Sequence, residues 1–309
     1  MTFASCSDNY HTYEGLTWGT SYHIVYKSHK TLNDAIDSVF RSIDDELSMF
    51  NETSVVSAIN SGQRVATTLV FNEIFTLSQK ISALSGGVYD PTVAPLTDLW
   101  GFGRGVAQIP SDSTINAILT TVGIADCYID SLGNIHKKHP LTAFDFSSIA
   151  KGYGIDCIGK MLDDNMIDNY MIEIGGEILC KGVSPKGQKW RIQIDAPSSE
   201  PIHKRLTVVE LGPEPCALAS SGNYRNYRTD THGHIYGHTL SPLTGRPVEG
   251  FVLAATVKHN NCATADALAT ACMAATYTDS AIAILHRANA SGVLVIAEAD
   301  TLSVVHAGL

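Results

Sequence analysis

Between Cys262 and Ala275 the chain reads CATADALATACMAA. A helix this apolar has no broad face to give to water, so it must be packed by other elements. It carries one acid, Asp266, and one hydroxyl four residues later, Thr270. Helical residues four apart lie on one face. An Asp and a Thr placed so offer oxygen ligands to a hard cation such as Mg²⁺. The alternative is a helix beginning near Thr264. Asp266 would then sit in its first turn, favoured by the dipole, and Thr270 would be a buried helix hydroxyl.

The chain has 309 residues, 44% of them hydrophobic and 17% charged, which is enough for a sizeable core in one or two domains. Its formal charge is −10, with Lys and Arg scattered. That argues against general nucleic-acid binding, which needs a basic footprint. Seven cysteines occur without a CxxC pair, mostly among apolar neighbours, and read as buried free thiols. Cys6 differs: it closes FASC ahead of the polar SDNYHTYEG. Small residues before such a cysteine resemble a bacterial lipobox. The apolar stretch expected upstream is absent from the five residues before it, so the match reflects either a longer precursor or chance.

Along the chain, residues 1–15 read as a polar lead-in and TWGTSYHIVYK as a first strand. Helical spacing covers 32–50 and 70–87, the latter ending on a Gly pair, and STINAILTTVG is a further helix. VYDPTVAPLTDLWGFGRG reads as a structured loop. DFSSIAKGYGIDCIGKMLDDN becomes helical from about Ser148. YMIEIGGEILCKGV is strand, Gly-Gly turn and strand, and KWRIQIDAP, RLTVVEL, CALASSGNYRNY and FVLAATVKH are further strands. DSAIAILHRANA is a helix, followed by the closing strands GVLVIAEA and LSVVHAG. Strands dominate the second half with helices between them, so the class is α+β or α/β, in one unit with two lobes.

DFSSIAKGYG joins an acid, two hydroxyls and Lys151 at a helix start, where backbone N–H groups can receive an anion. It lacks P-loop spacing, and a simply capped helix explains it equally well. IGGEI and SSGNYRNY put small residues where a ligand or a strand can come close. His238, in HTLSPLTGRP, reads on its own as a polar turn residue, as do His259 and the His232/His234 pair. Zinc-ligand pairs and a GxSxG elbow are both lacking.

In order, TWGTSY, SGGVYDPTVAPLTDLWGFG, DFSSIAKGYGID, IEIGGEI, ASSGNYRNY, HTLSPLTGRP and ATADALATA resemble the ApbE family, the FAD:protein FMN transferases once described as thiamine-biosynthesis lipoproteins. The resemblance runs from about Tyr13 to the C-terminus. It implies an α+β, ApbE-like mixed α/β fold with two lobes around an FAD cleft, formed by residues 13–309. Residues 1–12 would be a tether and candidate lipid-anchor region. The implied activity is Mg²⁺-dependent transfer of FMN from FAD to a Thr or Ser hydroxyl of a partner flavoprotein, with AMP released. Implied metal ligands are Asp266 and Thr270 with main-chain carbonyls at Ser148 and Ala269. Implied flavin-nucleotide contacts are Trp18, Phe50, Val88, Tyr89, Asp90, Asp145, Lys151 and Leu240. His238 matches the His near the scissile pyrophosphate, making His238 and Asp266 the implied catalytic pair. The family also implies export to the periplasmic side of a bacterial inner membrane, a lipid anchor at Cys6, and acceptors such as redox-pump subunits or exported flavoproteins.

Three positions depart from the family pattern: Phe50 where Tyr is common, Ser241 where Asp is common, and Glu177 where Asn or Asp is common. Phe50 bears on the balance of transfer against hydrolysis. Two other readings remain on the sequence alone: an FAD pyrophosphatase giving FMN and AMP, and a non-catalytic exported FAD-binding module.

Overall fold

The computed structural model describes residues 9–105, 109–196, 205–222, 227–229, 235–298 and 301–308. Cys6, Asn223–Asn226 of the SSGNYRNY stretch, His232 and His234 lie outside these residues.

Eight strands among the described residues form one sheet: β1 (Asn9–Thr17), β2 (Thr20–Ser28), β3 (Tyr170–Ile174), β4 (Glu177–Lys181), β5 (Cys216–Gly222), β6 (Val252–His259), β7 (Ser291–Glu298) and β8 (Thr301–Ala307). Each pairs antiparallel with the next in chain order. The polar lead-in thus ends earlier than expected, because Asn9–Thr17 is a strand in full register with β2. No residue of β1 is fully buried, so its sequence shows no apolar alternation. Its turn to β2 is Trp18–Gly19, both with positive φ (48° and 76°), as a two-residue hairpin of mirror-image twist requires.

The chain leaves this sheet at four points, one of them the connection between β5 and β6 that carries Tyr236, His238 and Leu240. Between β2 and β3 lie α1 (Asn33–Leu47), α2 (Val55–Asn60), α3 (Leu69–Ser85), α4 (Ala94–Leu99), α5 (Asp112–Leu119) and α6 (Ala150–Asp164). Between β6 and β7 lie α7 (Cys262–Ala274) and α8 (Thr278–Arg287). Between β4 and β5 a ribbon, Trp190–Asp195 paired with Arg205–Leu211, covers the opposite sheet face. There Trp190, Ile192 and Leu211 pack on Val25, Cys180, Cys216 and Leu218. Among the described residues, no helix is long and apolar enough to cross a membrane.

The α7 helix behaves as its composition demands. Every residue except Thr264 and Thr270 is buried. Its N-terminus is fixed from α6: the Asp156 carboxylate accepts N–H bonds from Cys262 (2.9 Å) and Ala263 (2.9 Å) and from the Asn261 side chain (2.6 Å). These bonds lock α6 and α7 in register. Asp156→Ala leaves two backbone donors without partners, and each unsatisfied group costs about 1–3 kcal/mol. The expected loss is therefore roughly 3 kcal/mol, read as a lower midpoint in urea with an unchanged slope; a loss below about 1 kcal/mol would mean water replaces the carboxylate.

A second cluster, Leu96, Trp100, Ile115, Val122, Tyr236 and Leu240, forms the core of the smaller lobe. The Trp100 indole donates to the Gly245 carbonyl at 2.8 Å, tying α4 to the turn that carries His238 and Leu240. Helix α4 arises where the sequence reads as a structured loop; Pro95 opens it and six residues complete it.

Candidate active site

A cavity of about 720 Å³ lies where the sheet, the α6–α7 pair and the smaller lobe meet. Val88, Tyr89, Asp90, Asp145, Ser148, Lys151, His238, Leu240, Asp266 and Thr270 all line it. Residues distant in sequence, and on four separate segments, therefore share one wall system.

Asn261 caps α7, its side chain accepting the Thr264 N–H at 2.8 Å, so the helix begins at Cys262 rather than near Thr264. Asp266 then lies beyond the first turn, and the end-dipole explanation for a buried acid loses its force. Its side chain is 3% exposed. It accepts the Gly152 N–H at 3.1 Å, and the Lys151 ammonium stands 3.9 Å away. Gly152 allows this because a Cβ there would run into the Cys262 carbonyl oxygen at 2.5 Å. Thr270 is one helical turn on, with its hydroxyl 3.4 Å from that of Ser221 on β5. Next to it, the Ser220 and Thr256 hydroxyls are 2.8 Å apart.

Lys151 belongs to the first turn of α6 and reaches the Ser147 carbonyl at 3.5 Å and Glu177 Oε1 at 3.6 Å. Burial works against its ammonium, but the Asp266 and Glu177 carboxylates outweigh that and hold its pKa above the ordinary lysine value. Burial pushes both carboxyls above their ordinary range, with Lys151 opposing the rise. The Asp145 N–H donates to the Pro91 carbonyl at 2.7 Å, and its Oδ1 accepts the Ser147 N–H at 2.9 Å. This joins the start of α6 to the segment Val88–Asp90. The Ser148 hydroxyl is 3.4 Å from the Tyr89 phenol. Asp90 spends its carboxylate on the loop, accepting from the Thr92 N–H and hydroxyl and from the Ile124 N–H. His238 faces the cavity with its ring edge-on to Phe102, centroids 6.3 Å apart.

Trp18, Phe50 and Ala269 do not line the cavity. The Trp18 indole donates to the Phe40 carbonyl at 3.2 Å and lies against Gly154, so it braces α1 and α6 behind the wall. Phe50 is 63% exposed, in the turn after α1. Ala269 is fully buried inside α7. Conversely, Thr20, Ser21, Glu177, Ser220, Ser221 and Thr256 line the cavity without having been singled out as ligands. Glu177 and SSG were visible only as a departure and as small residues; a strand Ser or Thr carries no periodic signal of its own.

The donors facing the cavity around Asp266 are carboxylate and hydroxyl oxygens, the chemistry a hard cation prefers. One buried atom among them, Glu177 Oε2, has no hydrogen-bond partner. Among the described residues, no three His, Cys, Asp or Glu side chains cluster into a metal cage. The site therefore suits an ion that keeps water or ligand oxygens in its shell rather than one held by the protein alone.

The same overall fold occurs in solved flavin transferases. The Vibrio cholerae flavin transferase ApbE superposes with a TM-score of 0.86 at 30% identity, covering 97% of this chain and 98% of that one. The Pseudomonas stutzeri flavinyl transferase ApbE, in its apo form, gives 0.86 at 29% identity, covering 100% of this chain and 97% of that one. In sequence, the FAD:protein FMN transferase of Vibrio cholerae serotype O1 is 36% identical over 270 residues, 84% of this chain and 79% of that protein. The ApbE family model matches residues 18–295, and the chain belongs to the ApbE family. The mixed α/β, two-lobed fold implied by the sequence motifs is the one observed.

Proposed function

We propose that this protein is a Mg²⁺-dependent FAD:protein FMN transferase. The observation that carries the reading is the convergence of Asp266, Thr270, Lys151, Asp145 and His238 on one cavity in a chain of this family. The cavity volume is of the size that ligand pockets have, about 300–1,000 Å³.

In the proposed reaction, the hydroxyl oxygen of an acceptor Thr or Ser attacks the phosphorus of the FMN half of FAD. The P–O bond to the adenylate half breaks and AMP leaves. Asp266, Thr270 and the carbonyl of Ser148 would hold Mg²⁺, which when bound neutralises charge on the pyrophosphate oxygens. Lys151 supplies a fixed positive charge toward the same anion, and the N–H groups at the start of α6 add partial positive charge. His238, on the cavity wall, would take the proton of the attacking hydroxyl as a general base. Val88, Tyr89, Asp145 and Leu240 supply walls that orient the nucleotide. In the cell, the acceptor is a flavoprotein such as a redox-pump subunit or exported reductase, met on the periplasmic side by a protein anchored at Cys6.

The test is chromatography of nucleotides after incubation with FAD, Mg²⁺ and an acceptor domain. AMP release in proportion to flavin lost from solution, abolished by EDTA and restored by excess Mg²⁺, is the expected result. Equal FMN and AMP in solution would instead assign an FAD pyrophosphatase, and intact FAD would assign a binding module.

A further inference from the structure

Glu177 is a buried acid with one carboxylate oxygen lacking a hydrogen-bond partner. It opens β4, directly after Gly175–Gly176, whose φ values of 67° and 103° only glycine adopts readily. The turn is reinforced by the Gly176 N–H donating to Glu173 Oε1 at 2.8 Å. A Cβ at Gly175 would come within 3.3 Å of Glu177 Oε2, so the glycine also leaves space beside that oxygen. The Glu177 side chain is 4% exposed, its Oε1 meets Lys151, and its Oε2 meets no donor. Burying a carboxylate with one oxygen unpartnered is unfavourable to folding.

Lys151 stands between two carboxylates, 3.6 Å from Glu177 and 3.9 Å from Asp266. A flexible ammonium left with Asp266 alone would close on it and occupy the oxygens a cation needs. We propose that Glu177 is a positioning residue: it draws Lys151 off Asp266, so that lysine serves the nucleotide while the Asp266 carboxylate stays available to the divalent ion. The inference rests on the Mg²⁺ site of the proposed function and assigns Glu177 a part in building it.

The test uses Glu177→Leu, Lys151→Met and the double variant, with Mn²⁺ titrated by electron paramagnetic resonance in saturating FAD, alongside thermal unfolding. Glu177→Leu is expected to bind Mn²⁺ about tenfold or more weakly, the scale of losing a supporting residue at a metal site. Its melting temperature is expected to stay close to that of the parent, because Lys151 keeps Asp266 as its partner while a buried carboxylate with an unpartnered oxygen is removed. Adding Lys151→Met removes the competitor and is expected to restore Mn²⁺ affinity to within about threefold, on the same scale. Wild-type affinity in Glu177→Leu, or no recovery in the double variant, would overturn the role. A wild-type protein that retains no Mn²⁺ would overturn the metal site and this inference together, and so is distinguishable from failure of the inference alone.

Discussion

Asp266→Ala is expected to lower kcat/KM for flavin transfer by about 10³-fold or more, roughly 4 kcal/mol of transition-state stabilisation. Asp266 is the only carboxylate of the donor set on α7, and the charge on a pyrophosphate under attack leaves little tolerance for losing it. The substitution also removes the acceptor of the Gly152 N–H, 3.1 Å away, so part of any loss could come from the fold. Asp266→Asn separates the two effects. Its amide oxygen still accepts from Gly152 but carries no charge. Similar melting temperatures for parent and Asn variant, with transfer lost in both variants, are expected from parallel unfolding and steady-state assays. Full activity in either variant would mean that the metal is held elsewhere.

Gly152→Ala is expected to damage stability and activity together. A Cβ at this position would lie 2.5 Å from the Cys262 oxygen, 2.7 Å from its carbonyl carbon and 2.8 Å from Ala263 Cα. All three are backbone atoms of the capped end of α7, so no rotamer change relieves the contact. The helices must part, which stretches the three bonds to Asp156 and shifts Lys151 relative to Asp266. Overpacking typically costs about 1–3 kcal/mol, and the upper end is expected where backbone meets backbone. Gly62→Ala provides the comparison: its φ is +81° but nothing lies within 4 Å, so only local backbone strain of about 1–2 kcal/mol applies. Denaturant midpoints should rank Gly152→Ala well below Gly62→Ala, and only the former should lose transfer activity. Equal losses would mean that α6 and α7 tolerate separation.

The legibility of this chain follows the range of the interactions involved. The α7 helix was plain in the sequence because it has almost no polar face, and a helix buried all round can only be central. The strand pair flanking Gly175–Gly176 was plain because both turn residues need positive φ. Helices α2 and α4 were not, since six residues span less than two turns. The first strand was hidden by having no fully buried residue. Within the site, the Asp266–Thr270 pair is local and readable from spacing. The meeting of Lys151, Glu177 and Asp266 is not, because it joins α6, β4 and α7 across long stretches of chain. Trp18 and Phe50 were named only through family resemblance, and here they lie behind and outside the cavity wall. The hydroxyls of Ser220, Ser221 and Thr256 become a row only when β5 and β6 pair.

The most direct measurement is the intact mass of an acceptor domain, carrying a Thr or Ser in a family-type motif, after incubation with this protein, FAD and Mg²⁺. The expected result is a covalent adduct of FMN on that hydroxyl, one AMP released per adduct, and neither formed in EDTA. An unmodified acceptor alongside free FMN and AMP, or alongside intact FAD, would contradict flavin transfer as the activity of this chain.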